Sequence, residues 1–161
     1  MMTSSNKDGN LKKPSKRTAA RMGAVQALYQ YEIVPMRPDK LIEEFLTHRL
    51  GQLIEGMRFG KADEALFADL IRGTLANLGE VDAMIAGILT ESWDLDRLEA
   101  ILRAILRSGT YEMAFRLDIP PKVIINEYAA ITDAFFGEKE TGMANGVLDK
   151  LAKELRPQEL G

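Results

Sequence analysis

Arg17 and Arg21 stand one helical turn apart, and the same four-residue row runs on through Val25 to Tyr29. Guanidinium groups neutralise phosphates, and a tyrosine ring stacks on a nucleobase for about 1–3 kcal/mol, so this spacing suits a single nucleic-acid strand. Gln26, near the ring, adds a polar donor and acceptor. The basic neighbourhood extends upstream, where the first 21 residues hold Lys7, Lys12, Lys13, Lys16, Arg17 and Arg21 against the single acid Asp8, a net +5. The whole chain is −3, so residues 22–161 carry −8. A cationic arm on an acidic body points to a local polyanion site, because solubility alone would not need the charge concentrated at one end. Lysine-rich ends also serve as solubilising tails, and Tyr29 equally suits a half-buried core position. The row by itself does not separate these readings.

Catalytic constellations fare worse. His48 is the only histidine and there is no cysteine. Disulfides, thiol catalysis and cysteine-ligated zinc or iron–sulfur sites are therefore excluded, and a lone histidine does not make a metal site. The acid pairs Glu43/Glu44 and Glu138/Glu140 have the residue type for acid–base work. They read better as solvated helix ends, because catalysis needs an apolar cleft that shifts one pKa. No glycine loop of phosphate-cradling spacing follows a strand. The expectation is a binding protein with no enzymatic activity, no metal and no cofactor. Neither a secretory signal nor a run of ~18 apolar residues able to span a membrane is present, and a reducing cytoplasm fits the cysteine-free composition.

The elements that must position these residues read as helices throughout. Residues 1–15 are polar, contain Gly and Pro, and are expected to be a disordered basic arm, with Ser15 able to cap the helix after it. From Lys16 to about Val34, Ala20, Ala24, Ala27, Leu28 and Tyr31 recur at three- and four-residue spacing. Pro35 and Pro38 end that helix. A second helix is expected from Asp39 to about Gly56, then a connection EGMRFG, then a third segment from Lys61 to about Leu89 divided near Gly79. Trp93-Asp94-Leu95 connects to a helix over residues 96–117, where Asp96 and Glu99 have capping-box-like spacing. Pro120-Pro121 opens a helix ending at Phe136-Gly137. The last helix runs from about Thr141 to Leu155. No strand-like alternation appears, so the expectation is an all-α fold of six to seven helices, one domain over residues 16–156, and a short tail at 157–161.

Four short motifs occur in order: Arg21-(x)3-Val25-Gln26-Ala27-Leu28-Tyr29; Ile105-Leu106-Arg107-(x)3-Tyr111-Glu112; Asp118-Ile119-Pro120-(x)2-Val123-(x)2-Asn126-Glu127; and Phe136-Gly137 followed by Asn145-Gly146-Val147-Leu148-Asp149. Together, over roughly residues 16–156, they resemble the NusB family of bacterial transcription antitermination factors. The resemblance implies two small helical bundles packed at a steep angle and no catalysis. It also implies binding of boxA-type single-stranded RNA from ribosomal RNA leaders, together with NusE, a small-subunit ribosomal protein. That assembly joins the elongating RNA polymerase with other Nus factors. Carried onto this chain, the RNA surface would combine Lys16, Arg17, Arg21, Gln26 and Tyr29 with Met143 and Asn145 around the loop before Asn145. The partner surface would involve Arg103, Arg107, Glu138 and Glu140. Arg107 with Glu112, or Asn126-Glu127, would equally serve as internal polar ties. Met143 stands where many members have an aromatic, and Leu102 where an acid is common. A NusB-like domain also precedes the catalytic domain of some ribosomal RNA methyltransferases, and some members pair with themselves, so an enzyme fragment and a homodimer are the competing expectations.

Overall fold

The computed structural model describes residues 15–49, 62–90 and 92–159. The expectations for the basic arm at 1–14, the far part of the second helix and the EGMRFG connection lie outside those residues. Within them are seven α-helices and no strand. They are α1 (Lys16–Ile33), α2 (Pro38–Glu44, running into a π-helical turn Phe45–Arg49), α3 (Glu64–Ala76), α4 (Leu78–Ile88), α5 (Ala100–Phe115), α6 (Pro121–Phe135) and α7 (Glu138–Leu155).

Most boundaries follow from local chemistry. Ser15 caps α1 by accepting the Thr18 N–H at 3.0 Å, and Asp63 caps α3 by accepting the Leu66 N–H at 3.0 Å. Proline starts α2 and α6, where its missing N–H is no loss. Three boundaries differ from expectation. The third segment breaks at Asn77, whose side-chain amide donates to the Gly73 carbonyl at 2.8 Å, and Gly79 lies inside α4. The fifth helix begins at Ala100, because Asp94 accepts the Asp96 N–H at 3.1 Å and closes a separate 3-10 turn over Leu95–Arg97. The Asp96/Glu99 capping box does not form. The last helix starts three residues early, at Glu138.

Helices α1–α3 pack as one bundle and α4–α7 as a second, and α5 packs against both. Small residues make the junction tight. Ala19, Ala20, Ala24 and Ala27 are fully buried on α1, so the α1 backbone comes close to α3 and α5. Gly73 of α3 is required for the same reason, since a β-carbon there would stand 2.1 Å from Cζ of Tyr111. Ionic ties cross the same junction. Arg103 of α5 donates to both carboxylate oxygens of Glu32 at the end of α1 (Nε–Oε2 2.8 Å) and to the carbonyls of Leu95 and Leu98. Arg107 forks onto Asp82 of α4 at 2.8 Å through both bonds and reaches Glu32 at 3.0 Å.

Candidate nucleic-acid interface

The row that begins at Arg17 does not stay on the surface. Lys16 and Arg17 are exposed in the first turn of α1, and Arg17 Nε lies only loosely beside Asp63 at 3.7 Å. One turn further, Arg21 is 1% exposed and Val25 is fully buried. Tyr29 then re-emerges at 37% exposure, with Gln26 half-buried near it. Two solvent-facing sections result, a cationic first turn and a Gln26/Tyr29 section, about 18 Å apart at 1.5 Å per residue. The interior stretch between them is Ala-rich, and α3 and α5 cover it.

Arg21 therefore has a different role from the phosphate contact expected of it. Its guanidinium forks onto Glu112 of α5 (Nε–Oε2 2.8 Å, Nη2–Oε1 2.9 Å) and reaches Oε1 of Glu127 on α6 at 3.2 Å. Tyr128 donates its hydroxyl proton to Glu112 Oε2 at 2.5 Å and lies 2.7 Å from Ser108 Oγ. Burial works against the Arg21 cation, but the Glu112 carboxylate outweighs it and holds the group above its ordinary pKa. Burial first, and then the Glu112 charge, push the Tyr128 phenol well above its ordinary value. A buried fork of this kind is satisfied internally and has no donor left facing water. The Asn126-Glu127 motif is likewise an internal tie through Glu127, and Glu112 pairs with Arg21, not with Arg107.

The last helix also departs from expectation. Because α7 begins at Glu138, Met143 and Asn145 lie in its second turn and no loop stands directly before Asn145. Two residues apart on a helix, they point to different sides and cannot share one stacking surface. Asn145 is exposed, whereas Met143 is half-buried beside Leu89 and Trp93. The main packing neighbours of α1 are α2, α3 and α5, with α6 tied on through Glu127, while those of α7 are α4, α5 and α6. The first and last helices are thus joined through α5 and α6 and do not build a cradle by packing on each other.

Around Trp93 the surface has another character. Three hollows share this ring: about 500 Å³ beside Leu98, Leu102 and Glu140, about 160 Å³ beside Met143 and Val147, and about 570 Å³ beside Asp82 and Asp96. Asp94 and Glu99 add further negative charge, against Arg97 and Lys150. Lys139 Nζ sits 5.3 Å from the Trp93 ring centroid, and Glu138 and Glu140 occupy the first turn of α7, where the helix dipole favours acids. A part-apolar trough whose rim carries more acids than bases suits a basic protein surface better than a phosphate backbone. Of the four residues expected to meet a partner, Glu140 lines the hollow beside Leu98 and Leu102 and Glu138 shares its helical turn, whereas Arg103 and Arg107 are committed to Glu32 and Asp82. The sequence reading missed Trp93 and Lys139 as surface features. The signal for them was a sole tryptophan placed in a connection instead of a core stripe.

His48, the one histidine, is exposed on the π-helical turn. Among the described residues no three His, Asp or Glu side chains are grouped as metal ligands. No described helix is long and apolar enough to cross a membrane.

Comparison with known proteins gives the family. A family model described as the NusB family matches residues 18–153. The transcription antitermination protein NusB of Sphingopyxis alaskensis is 43% identical over 145 residues, covering 90% of this chain and 97% of that protein. NusB of T. maritima superposes with a TM-score of 0.67 at 30% identity, covering 92% of this chain and 98% of that one. The fold is also shared, with a TM-score of 0.67 at 24% identity, by a chain from a crystal structure of antitermination factors NusB and NusE in complex with double-stranded RNA, over 86% of this chain and 97% of that one. With the family model spanning nearly the whole helical body and a relative above 40% identity along its length, this chain belongs to the NusB family.

Proposed function

We propose that this chain is a cytoplasmic, non-catalytic transcription antitermination factor. In this reading it binds boxA-type single-stranded RNA of ribosomal RNA leaders together with the ribosomal protein NusE, and acts on the elongating RNA polymerase with other Nus factors. The observation that carries the reading is the near full-length similarity to proteins named transcription antitermination protein NusB. Two separate surfaces then take two partners. Lys16 and Arg17 meet phosphates and Tyr29 with Gln26 meets a base, with the basic residues upstream of Lys16 adding charge. Asn145 adds an exposed amide on α7. The Trp93 trough, with Glu140 on its rim and Glu138 in the same helical turn, receives NusE. The Sphingopyxis relative is matched over 97% of its length, which favours the factor over the methyltransferase alternative.

Filter binding to boxA-containing and scrambled RNA, each with and without NusE, tests the proposal. The expected result is selective binding to boxA RNA, strengthened by NusE, with log affinity falling linearly in log salt. Equal weak binding in all four arms overturns it. Light scattering across concentration separates the self-associating alternative, which predicts that RNA affinity drops as the protein pairs.

A further inference from the structure

The first turn of α1 is held by a chain of side-chain hydrogen bonds that the functional reading does not use. Thr18 Oγ1 lies 2.7 Å from Glu127 Oε1 and 2.9 Å from Ser15 Oγ. A hydroxyl has one proton, and an ionised carboxylate only accepts. The Thr18 proton therefore goes to Glu127. It follows that Ser15 donates to Thr18 Oγ1 while its own oxygen accepts the Thr18 N–H at 3.0 Å. Glu127 Oε1 is held in turn by Arg21 Nη1 at 3.2 Å, and Arg21 by Glu112. The same turn is pinned from the other side by the Asp63 N–H, which donates to the Lys16 carbonyl at 3.0 Å. Lys16 and Arg17 lie between Ser15 and Thr18, so their backbone is gripped by α6 on one flank and by the start of α3 on the other.

We infer that Thr18, latched to Glu127, is a positioning residue that fixes the direction in which Lys16 and Arg17 present their charges to RNA phosphates. This rests on the RNA-binding reading above. Helix ends fray, and a long cation on a fraying turn must be ordered when it binds. A turn ordered beforehand avoids that entropic loss. Thr18 itself offers RNA no charge. Its effect passes through the backbone of the two residues before it.

Thr18→Val keeps the side-chain shape and removes the proton, whereas Thr18→Ser keeps the hydroxyl. Binding of boxA RNA with NusE is measured for wild type, T18V, T18S, the double variant K16A/R17A, and K16A/R17A carrying T18V. The expected result is a roughly threefold to tenfold loss for T18V, near-complete recovery in T18S, and no further loss when T18V is added to K16A/R17A. Amide exchange over Lys16–Ala19 in free T18V is expected to rise above wild type, with the urea midpoint as the control for global stability. Losses from T18V and K16A/R17A that simply multiply overturn the latch. So does wild-type affinity or wild-type exchange in T18V. If wild-type protein shows no boxA preference at all, the functional reading fails, which is a separate outcome from the failure of the latch.

Discussion

Two arginines four residues apart, Arg17 and Arg21, are alike in type and opposite in role. Arg21 is locked to Glu112 and Glu127 inside the protein, whereas Arg17 is exposed with only loose acidic neighbours. Breaking a buried ion pair leaves an uncompensated charge and costs about 3–5 kcal/mol. Arg21→Ala and Glu112→Ala are each expected to lower the urea-unfolding free energy by that amount. Lys16→Ala and Arg17→Ala are expected to change it by less than about 0.5 kcal/mol, while each reduces the magnitude of the salt slope of RNA binding by about one. A salt slope that moves with Arg21 and not with Arg17, in folded protein, contradicts the assignment. Arg156 shows the same principle near the chain end. It is 2% exposed, donates to the Ile119 carbonyl at 2.5 Å, and forks onto Glu159 at 2.8 and 2.9 Å. Nothing in its local sequence marks it as buried, since every partner but Glu159 comes from the turn after α5 or the end of α5 itself.

Between elements, the junction of the two bundles depends on the absence of a methyl group and on one shared carboxylate. An alanine at Gly73 gains about 1 kcal/mol of helix propensity, but its β-carbon would stand against the Tyr111 ring. The hydroxyl of that ring is fixed to Asp69 at 3.0 Å, so it cannot swing away freely. Overpacking of this kind costs about 1–3 kcal/mol, and thermal unfolding of Gly73→Ala is expected to show a net loss. Gly142→Ala in α7 meets no atom within 4 Å, and is expected to stabilise by up to about 1 kcal/mol. Glu32 is the shared carboxylate. The hydrogen bond from Arg103 holds its pKa below the ordinary carboxylate range, with Arg107 adding to the effect. A lowered folded pKa gives stability that is complete above the ordinary Glu value of about 4.3 and is lost as pH falls through the folded value. Glu32→Gln is expected to melt earlier than wild type at pH 7. The gap narrows on acidification below that range, and a gap that widens toward acid contradicts the tie.

For the whole molecule, a sole tryptophan in an acid-rimmed trough provides a reporter. Trp93 is half-buried beside Lys139, so seating of NusE there is expected to shift or quench its emission. RNA alone, bound at α1, is expected to leave it unchanged. A titration in which RNA without NusE produces the full change would place the RNA in the trough and reverse the two surfaces. The charge split, +5 before residue 22 and −8 after, is what the proposed division between an RNA partner and a protein partner rests on. A cationic end collects phosphates and an acidic body collects a basic protein.

The helical class, the proline-marked starts of α2 and α6, the alanine stripe of α1 and the four motifs were all legible in the chain, because they depend on neighbours within about one or two helical turns. Which motif residues face outward was not. Arg21 meets Glu112 across 91 positions and Glu127 across 106, and no local pattern distinguishes an arginine with such partners from one without. The boundary at Glu138 was missed for a different reason. Acids in a first turn are also common in loops, and no side chain caps the start of α7 to mark it. Sequence determined what each side chain is able to do. The three-dimensional packing of α1 against α3 and α5 decided which of them do it in water, because burial and ion pairing are set by residues far apart in the chain.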